Sequence, residues 1–202
     1  LYSCKALESV EIPNGVTAIN ELALGDCKSL KTIVIPDSVT SIADNAFVGT
    51  NIEYATVPAL AVPYIRNVNL KTITITSGDT LSQSMFTSCH SLTSITLPSS
   101  LRTLSTYSIG DMASLETLTL PEGVTTIGNV AFTNCPKLTS VDIPKSLNAI
   151  GANIIYNCPL LTTFNYAGTK EEWNAISKDP TWSNYVATGF TVYCSDGSIQ
   201  VK

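Results

Sequence analysis

The sequence predicts an elongated β-solenoid, with short parallel strands stacked on one face and a return segment of turns on the other. The first observation is a leucine or isoleucine anchor that recurs at eight positions, at a nearly constant interval in all but one step. Apolar or nearly apolar residues follow each anchor at the third and fifth positions, and proline follows at the sixth position in six of the eight copies. Such a period is typical of stacked coils, which bury a core only against their neighbours. The anchors are Leu7, Leu30, Ile52, Leu70, Leu92, Leu115, Leu138 and Leu161.

The coil that begins at Leu115 shows most clearly how one repeat is built. Apolar residues two positions apart, Leu118 and Leu120, predict a short strand with one buried face. Pro121 cannot donate to a sheet ladder, so it ends the strand and turns the chain away. Apolar residues of the return segment, such as Ile127, then face back into the coil. We therefore expect eight parallel strands, about 4.8 Å apart, in one continuous sheet.

Residues 48–88 interrupt the regular pattern. The coil that begins at Ile52 is the shortest, because the next anchor, Leu70, follows it sooner than in any other repeat. One interpretation is a kink that presents Tyr54, Tyr64 and Arg66 to a ligand, because aromatic residues and Arg are favoured at binding hot spots. The other is a shortened return segment without a role in binding, since solenoids tolerate coils of different length.

The exposed face of the predicted strands carries mainly hydroxyl side chains. The second and fourth positions after each anchor alternate with the buried ones and therefore share the outer face. These residues either form a flat surface that binds a protein or a glycan, or simply reflect the preference of Thr for exposed strands. Glu and Lys alternate at the first position in the first four coils, which predicts lateral ion pairs. With the irregular coil, the candidate binding surface comprises Thr32, Tyr54, Tyr64, Arg66, Thr72, Thr74, Thr96, Thr117 and Thr119.

Five of the six cysteines occupy one repeat position, three residues before an anchor. A metal site would need clustered cysteines or histidine partners, and the chain has a single histidine, His90. A disulfide between neighbouring coils, such as Cys135 with Cys158, is an alternative, but side chains of one column point the same way and disulfide geometry is demanding. We favour a buried thiol that fills space in the core. Cys194 lies outside this column and has no evident partner.

Residues 167–202 depart from the period and are expected to cap the open end of the stack. Thr169 and Glu172 have the spacing of a capping box, which predicts a helix that runs to about residue 177 or 178. Trp173 in this helix is placed to cover the last coil, although a tryptophan also suits stacking on a sugar. Residues 189–193 predict a final strand.

The composition argues against several classes of function. The net charge is −5 and the pI is about 4.8, whereas nucleic-acid phosphates require clustered positive charge. No apolar run approaches the length of a membrane span. Nucleophilic catalysis needs a base within reach of the nucleophile, and adjacent residues such as Cys89 and His90 diverge in an extended segment. We expect no catalytic residue, no cofactor and no bound metal.

Residues 115–143 resemble the bacterial BspA-like (Treponema-type) leucine-rich repeats. They read Leu-x-x-Leu-x-Leu-Pro-x-x-Val-x-x-Ile-x-x-x-Ala-Phe-x-x-Cys and then restart with Leu138. The segment Tyr166-Ala-Gly-Thr-Lys-Glu-Glu-Trp173 is similar to the closing segment of many such gut-bacterial surface proteins, so the resemblance covers nearly the whole chain. It implies a leucine-rich repeat solenoid, a right-handed superhelix or horseshoe with short strands, turns and 3₁₀ or helical turns on the return side. The repeats would occupy residues 1–166 and a helix-plus-strand cap residues 167–202.

The resemblance also implies extracellular display and adhesion-type binding, without a fixed ligand or catalytic residues. The expected function is therefore a non-enzymatic binding module at a bacterial surface, with a host or bacterial surface protein or a glycan as partner. The alternative is a structural spacer within a larger surface protein, with no ligand of its own. We expect a monomer. Because the chain opens inside a repeat at Leu1, we also expect the natural protein to extend further at its N-terminus.

Overall fold

The computed structural model describes residues 1 to 202 and shows a solenoid of stacked coils. All eight predicted anchor strands form, and they line one side of the stack, here called the front face. Neighbouring strands are parallel and pair in the register of the repeat, so that Thr32 lies opposite Tyr54 and Tyr54 lies opposite Thr72. These pairings confirm the prediction of parallel coils.

The front face holds two five-stranded sheets. The N-terminal front sheet comprises Ser9–Glu11, Thr32–Val34, Tyr54–Val57, Thr72–Ile75 and Ser94–Thr96. The C-terminal front sheet comprises Thr117–Thr119, Ser140–Ile143, Thr163–Tyr166, Thr191–Cys194 and Gly197–Gln200. The last of these strands is antiparallel to its neighbour, whereas the others are parallel.

The expected single continuous sheet is therefore interrupted, between Ser94–Thr96 and Thr117–Thr119. No backbone hydrogen bond joins these two strands, although their anchors, Leu92 and Leu115, are one regular repeat apart. The junction of these coils holds Met112, fully buried, at the repeat position of the smaller Cys135. This larger side chain is one sequence difference at the interruption.

Short strands on the return side keep the stack together where the front ladder stops. Each has only two residues, and the strands pair in parallel in three ladders. The first ladder comprises Ala18–Ile19 and Ser41–Ile42. The second comprises Thr80–Leu81, Thr103–Leu104, Thr126–Ile127, Ala149–Ile150 and Ser177–Lys178. The third comprises Ile109–Gly110, Phe132–Thr133 and Ile155–Tyr156.

One hydrophobic core runs through the stack and contains 54 buried residues. Anchors such as Leu30, Leu115 and Leu138 are fully buried, because each is covered by the coils on both sides. In the first coil, Val10 and Ile12 pack against this core but are only partly buried. Burial of the repeat positions thus depends on neighbouring coils, as expected for a solenoid.

The short coil that begins at Ile52 returns through helical turns. A 3₁₀-helix spans Ala59–Ala61 and a one-turn helix, α1, spans Val62–Ile65. Pro63 is tolerated there because the first turn of a helix needs no backbone donor from it. Both Val62 and Ile65 are buried in the common core.

The terminal cap begins with a second helix, α2, which spans Lys170–Ala175. The predicted capping box is present: Thr169 Oγ1 accepts from the backbone N–H of Glu172, and Glu172 Oε2 accepts from that of Thr169. Trp173 is buried and packs edge-on against Phe164 of the last regular coil. None of the helices is long and apolar enough to span a membrane.

The prediction that α2 continues to residue 177 or 178 is wrong. The helix ends at Ala175 because Ser177–Lys178 instead extends the return ladder, with Ser177 opposite Ala149. Lys178 Nζ donates to the backbone carbonyls of Trp173 and Ile176 at the end of α2. The final strands are Thr191–Cys194 and Gly197–Gln200, of which only the first was expected.

Candidate functional site

The front face presents the predicted rows of polar side chains. Ladder pairing places Thr32, Tyr54 and Thr72 in one row and Thr74 beside Thr96 in the next. Thr117 and Thr119 lie on the C-terminal front sheet, beyond the interruption. The structure therefore divides the candidate surface between two sheets.

The most distinctive part of the front face is a cluster around Tyr54. Glu53 Oε1 lies 2.6 Å from Lys31 Nζ, and Glu53 Oε2 lies 2.6 Å from Lys71 Nζ. The Lys71 ammonium lies 6.0 Å from the centroid of the Tyr54 ring, which is 44% exposed. Hydrogen bonds from Lys31 and then Lys71 lower the pKa of Glu53, so the carboxylate stays ionised and holds both lysines in place. These four residues are called the Tyr54 cluster below.

Tyr64 and Arg66 do not join Tyr54. Tyr54 lies on the front strand, and Pro58 turns the chain into the 3₁₀-helix and α1 on the return side. Tyr64 lies within α1 and is partly buried against the core, while Arg66 Nη1 donates to the backbone carbonyl of Ser84 at 2.9 Å. The irregular coil therefore does not present these three residues on one face.

Polar side chains on the C-terminal front sheet bond to each other across coils. Thr119 Oγ1 donates to Asp142 Oδ2, and Asn165 Nδ2 donates to Asp142 Oδ1, both at 2.8 Å. Cross-strand bonds of this kind support the sheet itself. This half of the front face is a flat polar lattice.

A groove of about 460 Å³ lies on the return side, and sequence reasoning did not predict it. Its floor contains Gly110 and Thr133, which face each other in the third return ladder. A side chain at Gly110 would come within 2.8 Å of Thr133 Cγ2, so glycine keeps this floor open. The remaining lining residues are Ser84, Thr87, Tyr107, Asp111, Val130, Asn134, Asn153, Tyr156 and Tyr185.

One wall of the groove is a ladder of carboxylate and amide groups. Asn134 Nδ2 donates to Asp111 Oδ1 at 2.9 Å, and Asn157 Nδ2 donates to Asn134 Oδ1 at 2.8 Å. All three backbones have positive φ, between 50° and 60°. Asn and Asp tolerate this conformation better than other side chains do, which explains their recurrence at one repeat position.

Three exposed tyrosines surround the groove. Tyr107 is 41% exposed, Tyr156 is 49% exposed and Tyr185, from the cap, is 57% exposed. The rings of Tyr156 and Tyr185 meet edge to face, with centroids 5.4 Å apart and planes at 83°. Both tyrosines also border a second hollow beside Pro159, so this pair stands between two depressions.

The groove was missed because its residues are spread over several coils. Tyr107, Asn134 and Tyr156 come from different coils and occupy different repeat positions. The signal that could have found it is the column of Asp111, Asn134 and Asn157, each one repeat after the last. Near the groove, His90 Nδ1 bonds to the backbone carbonyl of Asp111 at 3.0 Å.

Comparisons with known proteins find the same architecture. The family model described as the BspA type leucine-rich repeat region matches in six copies, over residues 1–68 and 64–177. A leucine-rich cell surface protein from Faecalibacterium prausnitzii A2-165 has 24% identity and a TM-score of 0.53, over 87% of this chain and 64% of its own. The pneumococcal vaccine antigen PcpA has 16% identity and a TM-score of 0.53, over 94% of this chain and 63% of its own.

A leucine-rich repeat protein of T. pallidum is similar as well, with 21% identity and a TM-score of 0.51 over 78% of this chain and 64% of its own. At these identities the likeness shows the fold alone. The chain spans less than two thirds of the length of each of these structures. The search of curated proteins gave no match.

Proposed function

The chain belongs to the BspA-type leucine-rich repeat family, and we propose that it is a non-enzymatic binding module of the adhesin type, displayed outside a bacterial cell. The partner of its front face would be a protein with acidic side chains. The cell-surface description of the F. prausnitzii structure supports this location.

The observation that supports a binding role is the Tyr54 cluster. An exposed aromatic ring next to two lysines, which one carboxylate orients, is a preorganised contact point on an otherwise flat hydroxyl face. The cluster has two positive groups and one negative group, so its net charge is opposite to that of the whole chain. A tyrosine of this kind is typical of an interface hot spot, and the lysines would attract acidic partners.

A structural spacer is the second candidate. The bonds of Asp142 with Thr119 and Asn165 favour it, because side chains that satisfy each other across coils need no ligand. The two functions make opposite predictions for the Tyr54 cluster, since a spacer would not depend on an exposed ring.

The test is a binding array of host matrix proteins and bacterial surface proteins, followed by titration of each protein that binds. We expect Tyr54→Ala to weaken binding by at least about tenfold and added salt to weaken it further. Tyr193→Ala is the matched control, because Tyr193 is an exposed tyrosine on the cap strand of the same face. If no protein binds, or if both variants bind as the wild type does, the spacer function is favoured.

A further inference from the structure

We propose that the groove bordered by Tyr107, Tyr156 and Tyr185 is a second binding site, and that its ligand is a neutral oligosaccharide. The site lies on the return side, away from the Tyr54 cluster on the front strands. It therefore does not depend on the proposed function of the front face.

The charge of the lining selects a neutral ligand. Among the eleven lining residues, Asp111 is the only one with a charged side chain, and it is acidic. Phosphate, sulfate and carboxylate groups are bound by Arg, Lys or clustered N–H donors. Arg66 and His90 lie outside the lining, and each bonds to the backbone carbonyl of a lining residue, Ser84 and Asp111 respectively. An anionic ligand would thus meet a carboxylate and no cation among the lining residues.

The side-chain ladder supplies the hydrogen bonds that sugar hydroxyls need. Asn134 uses one N–H for Asp111 and one lone pair for Asn157, which leaves a second N–H and a second lone pair. Asp111 Oδ2 has no protein partner, whereas Oδ1 accepts from Asn134. A sugar hydroxyl both donates and accepts, so adjacent hydroxyls on one ring match these paired donors and acceptors.

The tyrosines supply the apolar half of the contact. Sugar rings carry C–H groups on their faces, and an exposed aromatic ring can cover such a face while its hydroxyl stays hydrated. Tyrosine is suited to this because only two side-chain torsions are fixed on binding. The perpendicular pair of Tyr156 and Tyr185 stands between two hollows, so a chain of sugar units can contact the pair from both sides.

The groove is largely preformed. The backbone N–H of Asn134 donates to the backbone carbonyl of Tyr156, and that of Asp111 to the backbone carbonyl of Thr133, both at 3.1 Å, so this wall is tied to the next coil at two points. A ligand therefore need not order the site, which favours affinity for a flexible chain. Phe132–Thr133, at the centre of the third return ladder, is paired on both sides and offers no edge to which a peptide could add a strand.

The experiment uses the whole chain and an array of oligosaccharides from starch, cellulose, xylan and mannan, with heparin and hyaluronan as charged probes. Titration calorimetry then measures the affinity for each neutral probe that binds. We expect at least one neutral oligosaccharide to bind, and Tyr156→Ala and Tyr185→Ala each to weaken binding by at least about tenfold. Tyr185→Phe keeps the ring and is expected to retain most of the affinity.

Tyr54→Ala and Tyr193→Ala are the controls and should bind the sugar within about twofold of the wild type. Tyr185 is exposed and lies outside strands and helices, so its variants keep the fold, which the thermal midpoint verifies. The proposal is overturned if no neutral probe binds, if only charged probes bind, or if the groove variants bind as the wild type does. The proposal is also overturned if a protein binds the wild type but not the groove variants, because the groove would then bind a polypeptide.

Discussion

The backbone N–H of Cys135 donates to the Sγ of Cys158 across one coil boundary, with nitrogen and sulfur 3.4 Å apart. Both residues are buried, as are Cys27 and Cys89 from the same repeat position. These four are free thiols, and their burial agrees with the predicted role as core filler, whereas Cys4 of the same column is only partly buried. The side-chain interaction with the Cys158 thiol, followed by burial, raises the pKa of the Cys135 thiol.

The buried thiols are expected to be unreactive in the folded protein. Burial raises the pKa of Cys89 to about 11, so that at pH 8 about one thiol in a thousand is ionised there. We expect two thiols, Cys4 and Cys194, to react quickly with Ellman's reagent, and the other four only after unfolding. The double variant Cys4→Ser/Cys194→Ser should lose the fast phase. Rapid reaction of more than two thiols in the native chain would contradict the buried column.

Ser108→Ala is expected to stabilise the protein. Ser108 is fully buried, and its hydroxyl has no hydrogen-bond partner. The same repeat position holds Ala46 and Ala131 in other coils, so the site accepts a methyl group. Removal of an unsatisfied buried hydroxyl should raise the free energy of unfolding by about 1 kcal/mol.

The reverse substitution, Ala131→Ser, is the control for this prediction and should destabilise by a similar amount. Urea unfolding measures both variants. A midpoint for Ser108→Ala below that of the wild type would show that the hydroxyl is satisfied in solution.

Trp173→Ala is expected to open the cap. The Trp173 ring is surrounded by Phe164, Tyr166 and Trp182, with ring centroids 6.4, 5.3 and 5.9 Å away. Loss of a buried tryptophan leaves a cavity, and the free energy of unfolding should fall by about 3–5 kcal/mol. Tyr193→Ala, at an exposed site of the same cap, should change it by less than about 0.5 kcal/mol. Equal unfolding midpoints for the two variants would mean that the cap does not support the repeats.

Stability should decrease in acid partly because of Glu172. The hydrogen bond with Lys145, at 2.8 Å, and then the backbone N–H of Thr169 lower the pKa of Glu172. A carboxyl group whose pKa is lower in the folded state than in the unfolded state stabilises the folded state at pH values above the unfolded-state pKa. That contribution is lost as the pH falls through the folded-state pKa. The unfolding midpoint of Glu172→Gln should therefore lie below that of the wild type at pH 7 and approach it in acid.

Lys145→Met separates the two partners of Glu172, since it removes the ion pair and leaves the capping box intact. The difference in unfolding midpoint between Lys145→Met and the wild type should also become smaller in acid, but by less than the difference for Glu172→Gln. A constant difference between wild type and Glu172→Gln from pH 7 to pH 3 would argue against the ionic origin.

The repeat positions of the core followed from the sequence, because one side-chain spacing is imposed on every coil by its neighbours. The lateral pairing of Lys31 with Glu53 and of Glu53 with Lys71 followed for the same reason. The helical return path of the short coil could not be predicted from the sequence, since Pro58 and Pro63 fit either an extended or a helical turn. The early end of α2 could not be predicted either, because strand pairing of Ser177 competes there with helix formation.

The candidate binding surfaces were harder to predict than the core. Tyr54, Tyr64 and Arg66 are close in sequence, yet the turn at Pro58 separates them. The groove has the opposite property, because Tyr107 and Tyr185 are far apart in sequence and meet only in the folded stack. Local composition therefore grouped residues that lie on different elements, and it missed a groove that brings distant residues together.

The interruption of the front ladder has a mechanical consequence. Hydrogen bonds between coils resist the separation of those coils. The interruption between Thr96 and Thr117 is therefore the most flexible point of the solenoid on the front face. The return strands at Thr103 and Thr126 stay bonded and act as the pivot. Under tension the molecule should flex there and change its curvature before any coil unravels, and hydrogen exchange should find the front amides of this interruption the least protected.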